Sequence, residues 1–212
     1  MTEIFIGHAE KYRSAENFEA ALSAVPECRR EGIERMKNPL GKQLLLATAA
    51  ALSAALRSRG VDPMTADIRK KKSGKPYLCG SRTVFFSLSH SGTVGICAVS
   101  EKVNGVDIES TGRSDPGIAS RFFTPRENKL LSACGDYDYY FTRLWTLKES
   151  FAKYTGEGIS SISGIEFDLR VRPPRLVRPA IETQPKFFET TYGEYQIALC
   201  TDDGGAVEIR EI

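Results

Sequence analysis

Gly92-Thr-Val-Gly-Ile-Cys-Ala-Val-Ser-Glu-Lys-Val-Asn-Gly-Val-Asp-Ile108 (GTVGICAVSEKVNGVDI) decides how the chain is organised, because its pattern occurs twice. Sliding the sequence by 101 positions without a gap lays this stretch over GEYQIALCTDDGGAVEI, Gly193–Ile209. Four of seventeen positions are identical, and the apolar alternation and the turn coincide. The same shift lays the helical stretch around Leu44–Leu52 over that around Trp145–Lys153. A strand–turn–strand unit and a helix repeating in step predict two related halves with a ligand cleft between them. The copies are not equivalent. Thr48 stands where Glu149 stands, and Thr190-Thr191 where Ser89-His90 stand, so each half keeps a different part of one site.

At 212 residues the chain is long enough for one substantial core, or for two small halves sharing one. Its 41% apolar and 26% charged residues are ordinary for a globular protein, which excludes the disordered and membrane classes. No run approaches the roughly 18 apolar residues of a membrane span. The start, MTEIFIGHAEKY, lacks the basic and apolar blocks of a signal peptide, so a cytoplasmic location is expected. Five scattered cysteines without a CxxC pair argue against a disulfide framework and against a zinc site. A net charge of +2 does not suggest nucleic-acid binding. Basic clusters do fall in the first half: Arg29-Arg30, Arg35 with Lys37 and Lys42, and Arg69–Lys72 with Lys75. They are a solvated face or a receptor for a polyanion.

The pattern predicts a strand at residues 3–7 and a well-buried helix over Leu40–Leu56, ended by Arg57, Arg59 and Gly60. Asp67–Ser81 is polar and basic, with a turn at Ser73–Pro76. Strands follow at Thr83–Leu88 and Val94–Ser100 around a Ser-Gly turn, and a third carries Val106–Glu109. After a loop at Ser110–Gly117, Thr124-Pro-Arg-Glu127 starts a helix with Thr as N-cap, Pro at N1 and Glu at N3. A long helix over Tyr139–Lys153 stops at Gly156-Glu-Gly158. Arg172–Pro179 reads as a surface connection, before strands near Lys186–Thr191, Glu194–Thr201 and Ala206–Arg210.

Asp107 and Glu109 sit two apart in an apolar strand, so they share a face while Val106 and Ile108 bury the other. Paired carboxylates repel unless something positive lies between them: water at an edge strand, a lysine or a metal ion. Glu149 and Lys153, four apart on a helix, share a face too, and alone would be a surface ion pair. Three carboxylates from a strand and a helix suit a hard cation such as Mg²⁺, which completes its shell with water and substrate phosphates. Lys153 beside it would be a phosphate counter-charge. His90, in FSLSHSG, lies at a strand end between two serines. Glu127 is either the N3 member of a capping box or a general base. There is no G-x-S-x-G, P-loop or GxGxxG, and two histidines without a partnered nucleophile argue against a triad hydrolase.

GKP (Gly74–Pro76), SLSHSG (Ser87–Gly92), GVDIE (Gly105–Glu109), RFFTPRE (Arg121–Glu127) and LWTLKESFAKYTGEG (Leu144–Gly158) together resemble the 4′-phosphopantetheinyl transferases of the long, surfactin-synthetase-activator (Sfp) type. The motifs come in that family's order and spacing over about residues 25–200. The resemblance implies an α+β fold of two similar α/β halves related by a pseudo-twofold axis. Residues 1–103 would form the nucleotide side, and residues 104–212 the metal and carrier-facing side. It implies that the enzyme moves the phosphopantetheine arm of coenzyme A to a serine of an apo acyl or peptidyl carrier protein, releasing 3′,5′-ADP. Asp107, Glu109 and Glu149 would hold Mg²⁺ or Mn²⁺, and Lys153 would stabilise the coenzyme A pyrophosphate. Lys75, Pro76, Ser89 and His90 would lie along the nucleotide, and Glu127 would match the acid proposed to deprotonate the carrier serine.

The family's 3′-phosphate site draws on basic residues around the first helix. Cys28–Gln43 is short there, with Arg29, Arg30, Lys37 and Lys42 as candidates and Lys37 preferred. Carrier recognition is expected near Phe122, Phe123 and Tyr137–Tyr140 unless these are core, with Arg121 and Arg126 steering an acidic partner. The protein should act as a monomer in fatty-acid, polyketide or nonribosomal-peptide biosynthesis, with no nucleic-acid or membrane partner. The competing readings are a metal-dependent phosphohydrolase on the same carboxylates and a non-enzymatic nucleotide- or carrier-binding module.

Overall fold

The structure, a computed structural model, describes residues 1–182 and 184–212. Strand β1 (Thr2–His8) leads through a 3₁₀ turn to helices α1 (Ala15–Ser23), α2 (Glu27–Arg35) and α3 (Pro39–Ser58). Next come β2 (Ile68–Lys70), β3 (Pro76–Leu78), β4 (Phe85–Ser91) and β5 (Val94–Ser100). The second half runs β6 (Asn104–Ser110), α4 (Pro116–Phe122), α5 (Pro125–Ala133) and α6 (Tyr137–Thr155). A 3₁₀ turn over Ile159–Gly164 then leads to β7 (Glu166–Asp168), β8 (Arg175–Arg178), β9 (Lys186–Tyr192), β10 (Tyr195–Thr201) and β11 (Val207–Glu211).

The repeat in sequence is a repeat in space. β5 pairs antiparallel with both β4 and β1, and β10 pairs antiparallel with both β9 and β6. β4 and β5 carry onto β9 and β10 at an offset of 101 residues, from Phe85 to Lys186 and from Val94 to Tyr195. Alternation then sorts the side chains. Ile4, Ile6, Ile96 and Ala98 of one sheet meet Val106, Ile108, Ile197 and Leu199 of the other in a shared core. The opposite faces receive the helices: Phe5, Cys97 and Val99 pack on Leu52, Ala55 and Leu56 of α3, and Ala198 and Cys200 join Leu144, Leu147 and Phe151 of α6. The result is two sheets face to face between two helices, an α+β architecture of two α/β halves.

α3 has the length and hydropathy of a membrane span, yet half of that window is buried inside the protein, which marks it as a core helix. Asn38 caps its N-terminus by accepting from the backbone N–H groups of Leu40 and Gly41. α6 ends at Gly156, whose φ of 77° is the left-handed conformation that glycine adopts without penalty.

Several elements differ from the sequence expectations. Helices α1 and α2 fill the stretch between β1 and α3. Arg172–Pro179 is not merely a connection, because Arg175–Arg178 pairs with β7 as a short hairpin. The Asp67–Ser81 segment is also a hairpin, β2–β3, around its expected turn. β11 follows β10 as β6 follows β5, but it does not copy β6. It joins the first sheet, parallel to β1, giving the order β11-β1-β5-β4, so residues 104–212 do not form a self-contained unit.

Candidate active site

The acids of GVDIE are brought to the seam where the halves meet. β4 and β6 lie side by side without sharing a ladder, and the alternate serines of SLSHS bridge them. Ser87 Oγ accepts from Val106 N at 3.1 Å, and Ser91 Oγ accepts from Ser110 N at 3.1 Å. Ser89 Oγ donates to Asp107 Oδ1 at 2.7 Å, and Ser91 Oγ donates to Glu109 Oε2 at 2.9 Å. Serine at every second position thus presents a row of short hydroxyls to one neighbour. The opposite face of β4 turns Leu88 and His90 toward the cleft.

Gly105 controls how closely α6 can approach. A Cβ there would collide with Ser150 O and Tyr154 N and stand 2.9 Å from the carbonyl carbon of Lys153, so only glycine lets the helix lie on the strand. That approach places Glu149 and Lys153 over Asp107. Lys153 Nζ donates to Asp107 Oδ1 and to Ser89 Oγ, at 2.7 and 2.8 Å. In the structure, then, the positive group beside the acids is a lysine. Asp107 is 2% exposed and its Oδ2 has no hydrogen-bond partner. Among the described residues no three His, Cys, Asp or Glu side chains are arranged as a ready-made metal cage.

Two of the three carboxylates, Glu109 and Glu149, hold their protons more tightly than free carboxylates do. Burial, followed by the charge of Asp107, pushes Glu149 up to about 7. Burial and Asp107 also hold Glu109 above the usual carboxylate range, against the pull of Ser91 and Lys153. Lys75 is pushed down to about 8 by burial and by the neighbouring Lys71 and Lys153. Its ammonium donates to Asn104 O at 2.9 Å, anchoring the β2–β3 turn across the seam.

The three acids and Lys153 line a cleft of ≈ 420 Å³ with Arg29, Pro76, His90 and Trp145, and an adjoining hollow of ≈ 400 Å³ reaches Ser73–Lys75, Gly156 and Gly158. Of the residues singled out from sequence, Asp107, Glu109, Glu149, Lys153, Ser89, His90, Pro76 and Lys75 therefore converge. Lys37 does not: it is exposed just beyond the end of α2 and lines no part of the cleft. Arg29, in the first turn of α2, faces the cleft instead, with a buried Nε that has no partner.

Glu127 also lies outside. It completes the capping box of α5, taking Thr124 N on Oε2 at 2.8 Å, and its other oxygen accepts from Phe167 N at 3.0 Å. Lys148 Nζ lies 2.7 Å from Oε2. Phe123 belongs to the second-half core, and Phe122, Tyr137 and Tyr140 pack against it. The large apolar side chain exposed at the cleft is Ile159, 59% exposed. Sequence reasoning missed it, and nothing in its polar surroundings would have flagged it.

A two-half cleft with one buried and two half-buried acids at its centre and cations along its walls has what phosphoryl transfer requires: fixed positions and neutralised charge. Comparison with known proteins makes this specific. The 4′-phosphopantetheinyl transferase superfamily matches over residues 104–200. A 4′-phosphopantetheinyl transferase of Bacillus subtilis is 30% identical over 93% of this chain and 91% of its own length. Sfp of Bacillus subtilis (strain 168) is 33% identical over 69% of this chain and 67% of its own, and psf-1 of Bacillus pumilus 36% over 66% and 62%. The chain belongs to the 4′-phosphopantetheinyl transferases. It is an enzyme that transfers 4′-phosphopantetheine to carrier proteins.

Proposed function

We propose that the donor is coenzyme A, that transfer depends on Mg²⁺ and releases 3′,5′-ADP, and that the β4–β6–α6 cleft is where it happens. Asp107 carries this reading. It is a buried carboxylate with one oxygen held by Ser89 and Lys153 and the other without a partner, in a cleft it shares with Glu109 and Glu149. An all-oxygen donor set of this kind fits Mg²⁺ or Mn²⁺ and leaves coordination positions for water and phosphate. Asp107, Glu109 and Glu149 would hold the ion, which when bound supplies charge neutralisation at the diphosphate.

Lys153 neutralises a diphosphate oxygen from the same point. Lys75, Pro76 and His90 border the nucleotide, and Arg29 takes the place first given to Lys37 as partner of the 3′-phosphate. Ser89 spends its hydroxyl on Asp107 and so orients that carboxylate. A serine hydroxyl is a weak nucleophile until its proton has an acceptor. Glu149 makes no hydrogen bond or ion pair among the described residues, so its carboxylate is free to reach both the ion and the incoming hydroxyl. The first half thus grips the nucleotide, and the second holds the ion and faces the carrier. Because one chain supplies both halves, the enzyme acts as a monomer, in the cytoplasm with its coenzyme.

Incubation with coenzyme A, Mg²⁺ and an apo carrier adds the mass of the arm to the carrier, read by mass spectrometry. No mass gain on fatty-acid, polyketide and nonribosomal-peptide carriers, with folded enzyme, refutes the proposal. The same panel assigns the pathway.

A further inference from the structure

The cleft uses neither Glu127 nor Lys148, yet both are costly to place. Lys148 is fully buried and Glu127 is 2% exposed. An ammonium taken out of water is tolerated only if its donors are answered. Those of Lys148 are: Glu127 Oε2 at 2.7 Å, Phe122 O at 2.9 Å, and Ile165 O. The Glu127 oxygens are equally committed, to Thr124 N, Phe167 N and Lys148. One ion pair therefore gathers the end of α4, the cap of α5, the middle of α6 and the start of β7.

Of the gathered segments α6 lines the cleft itself, and the others adjoin residues that do. Phe122 packs edge-on against Trp145 with ring centroids 5.6 Å apart, Ile159 opens the 3₁₀ turn that leads to Ile165, and Glu149 is the residue after Lys148. To take a proton from a carrier serine, Glu127 would have to leave two backbone N–H groups and a buried ammonium unanswered. Each such loss leaves a buried polar group without the partner that offsets its removal from water.

We propose that Glu127 and Lys148 are positioning residues, a buried staple that fixes Trp145, Ile159 and Glu149 around the reacting groups while Glu127 takes no part in proton transfer. The inference concerns how the transferase activity is held in place, so wild-type turnover in the same assay separates its failure from failure of that activity.

The test compares Glu127→Gln, Lys148→Met and the double variant. Each single variant leaves a buried charge or donor unanswered and lowers kcat at least about tenfold, while KM for coenzyme A moves less than about threefold. The double variant removes both charges and fills the space at 148 but leaves Phe122 O, Ile165 O and one of the two amides without partners, so it regains part of the loss and turns over at least about threefold faster than Glu127→Gln. A double variant with the wild-type circular dichroism spectrum that stays as slow as Glu127→Gln overturns the proposal.

Amide hydrogen exchange puts the question to the unmodified protein, so the answer does not depend on any variant folding. The Thr124 and Phe167 amides keep their protection when coenzyme A and a carrier with its acceptor serine changed to alanine saturate the enzyme. Loss of protection at both amides on binding overturns the proposal.

Discussion

Replacing Gly105 by alanine should separate Asp107 and Glu109 from α6 without touching any charged group. The added methyl would overlap Ser150 O and Tyr154 N and stand 2.9 Å from the Lys153 carbonyl carbon, where ordinary contact begins at 3.4 Å. Relief against that carbon alone requires α6 to retreat by about 0.5 Å, and relief against the two nearer atoms requires more. All three are backbone atoms, so no rotamer change absorbs the clash. Overpacking of this kind costs about 1–3 kcal/mol. The ion pair between Lys153 and Asp107, now 2.7 Å, opens by the same displacement, and Glu149 recedes with it. A misplacement of about 1 Å at a reacting centre can cost about 100-fold in rate. Gly105→Ala should therefore lower Tm by several degrees and kcat/KM for carrier modification by about 100-fold, far more than the stability loss explains. Both are read from one preparation, by calorimetry and by carrier mass gain. An alanine variant with wild-type kcat/KM would refute the claim that close contact between β6 and α6 assembles the site.

Three other outcomes follow from the same geometry. In metal-free protein Glu149 has a folded pKa raised from 4.5 to about 7, so its favourable contribution is present below pH 4.5 and is lost as pH rises to about 7. Glu149→Gln should remove that part of the pH dependence of Tm, raise Tm at pH 7 to 8 relative to wild type, and abolish transfer; an unchanged Tm profile would contradict the assigned burial. Millimolar Mg²⁺ should raise the Tm of wild type but not of Asp107→Ala, and chelation should stop transfer; equal shifts in both proteins would remove Asp107 from the metal site. Arg29→Ala should raise KM for coenzyme A about tenfold, while Lys37→Ala leaves it unchanged, and the reverse pattern would restore the first assignment.

Much of the fold was legible because repetition reports on architecture without requiring each element to be identified. The offset of 101 residues came from side-chain alternation, and alternation is what the paired sheets impose. The acids of GVDIE could be placed on one face by the same period of two. The local signals of the second half, Thr124 as cap and Gly156 as helix stop, also hold, because capping depends on neighbours in sequence. What escaped depends on neighbours in space. Lys148 reads as a polar helix residue and is instead the centre of the second half, because its partners come from three other segments. Ser87 and Ser91 look like ordinary strand serines until β6 is laid beside them. Arg29 and Lys37 both read as surface cations in sequence, and only the fold, which turns Arg29 of α2 into the cleft and leaves Lys37 outside beyond the helix end, tells them apart.

The different fates of β6 and β11 set how many nucleotides one molecule can process. At β6 the outer margin is left to the serines of β4, and the acids gather there. The corresponding margin of β1 is sealed by β11, and across it His8 meets Tyr192, which in turn donates to Glu211. Duplication would ordinarily yield two catalytic stations. Here the second has been closed off by the chain's own last strand, so titration should find one coenzyme bound per polypeptide.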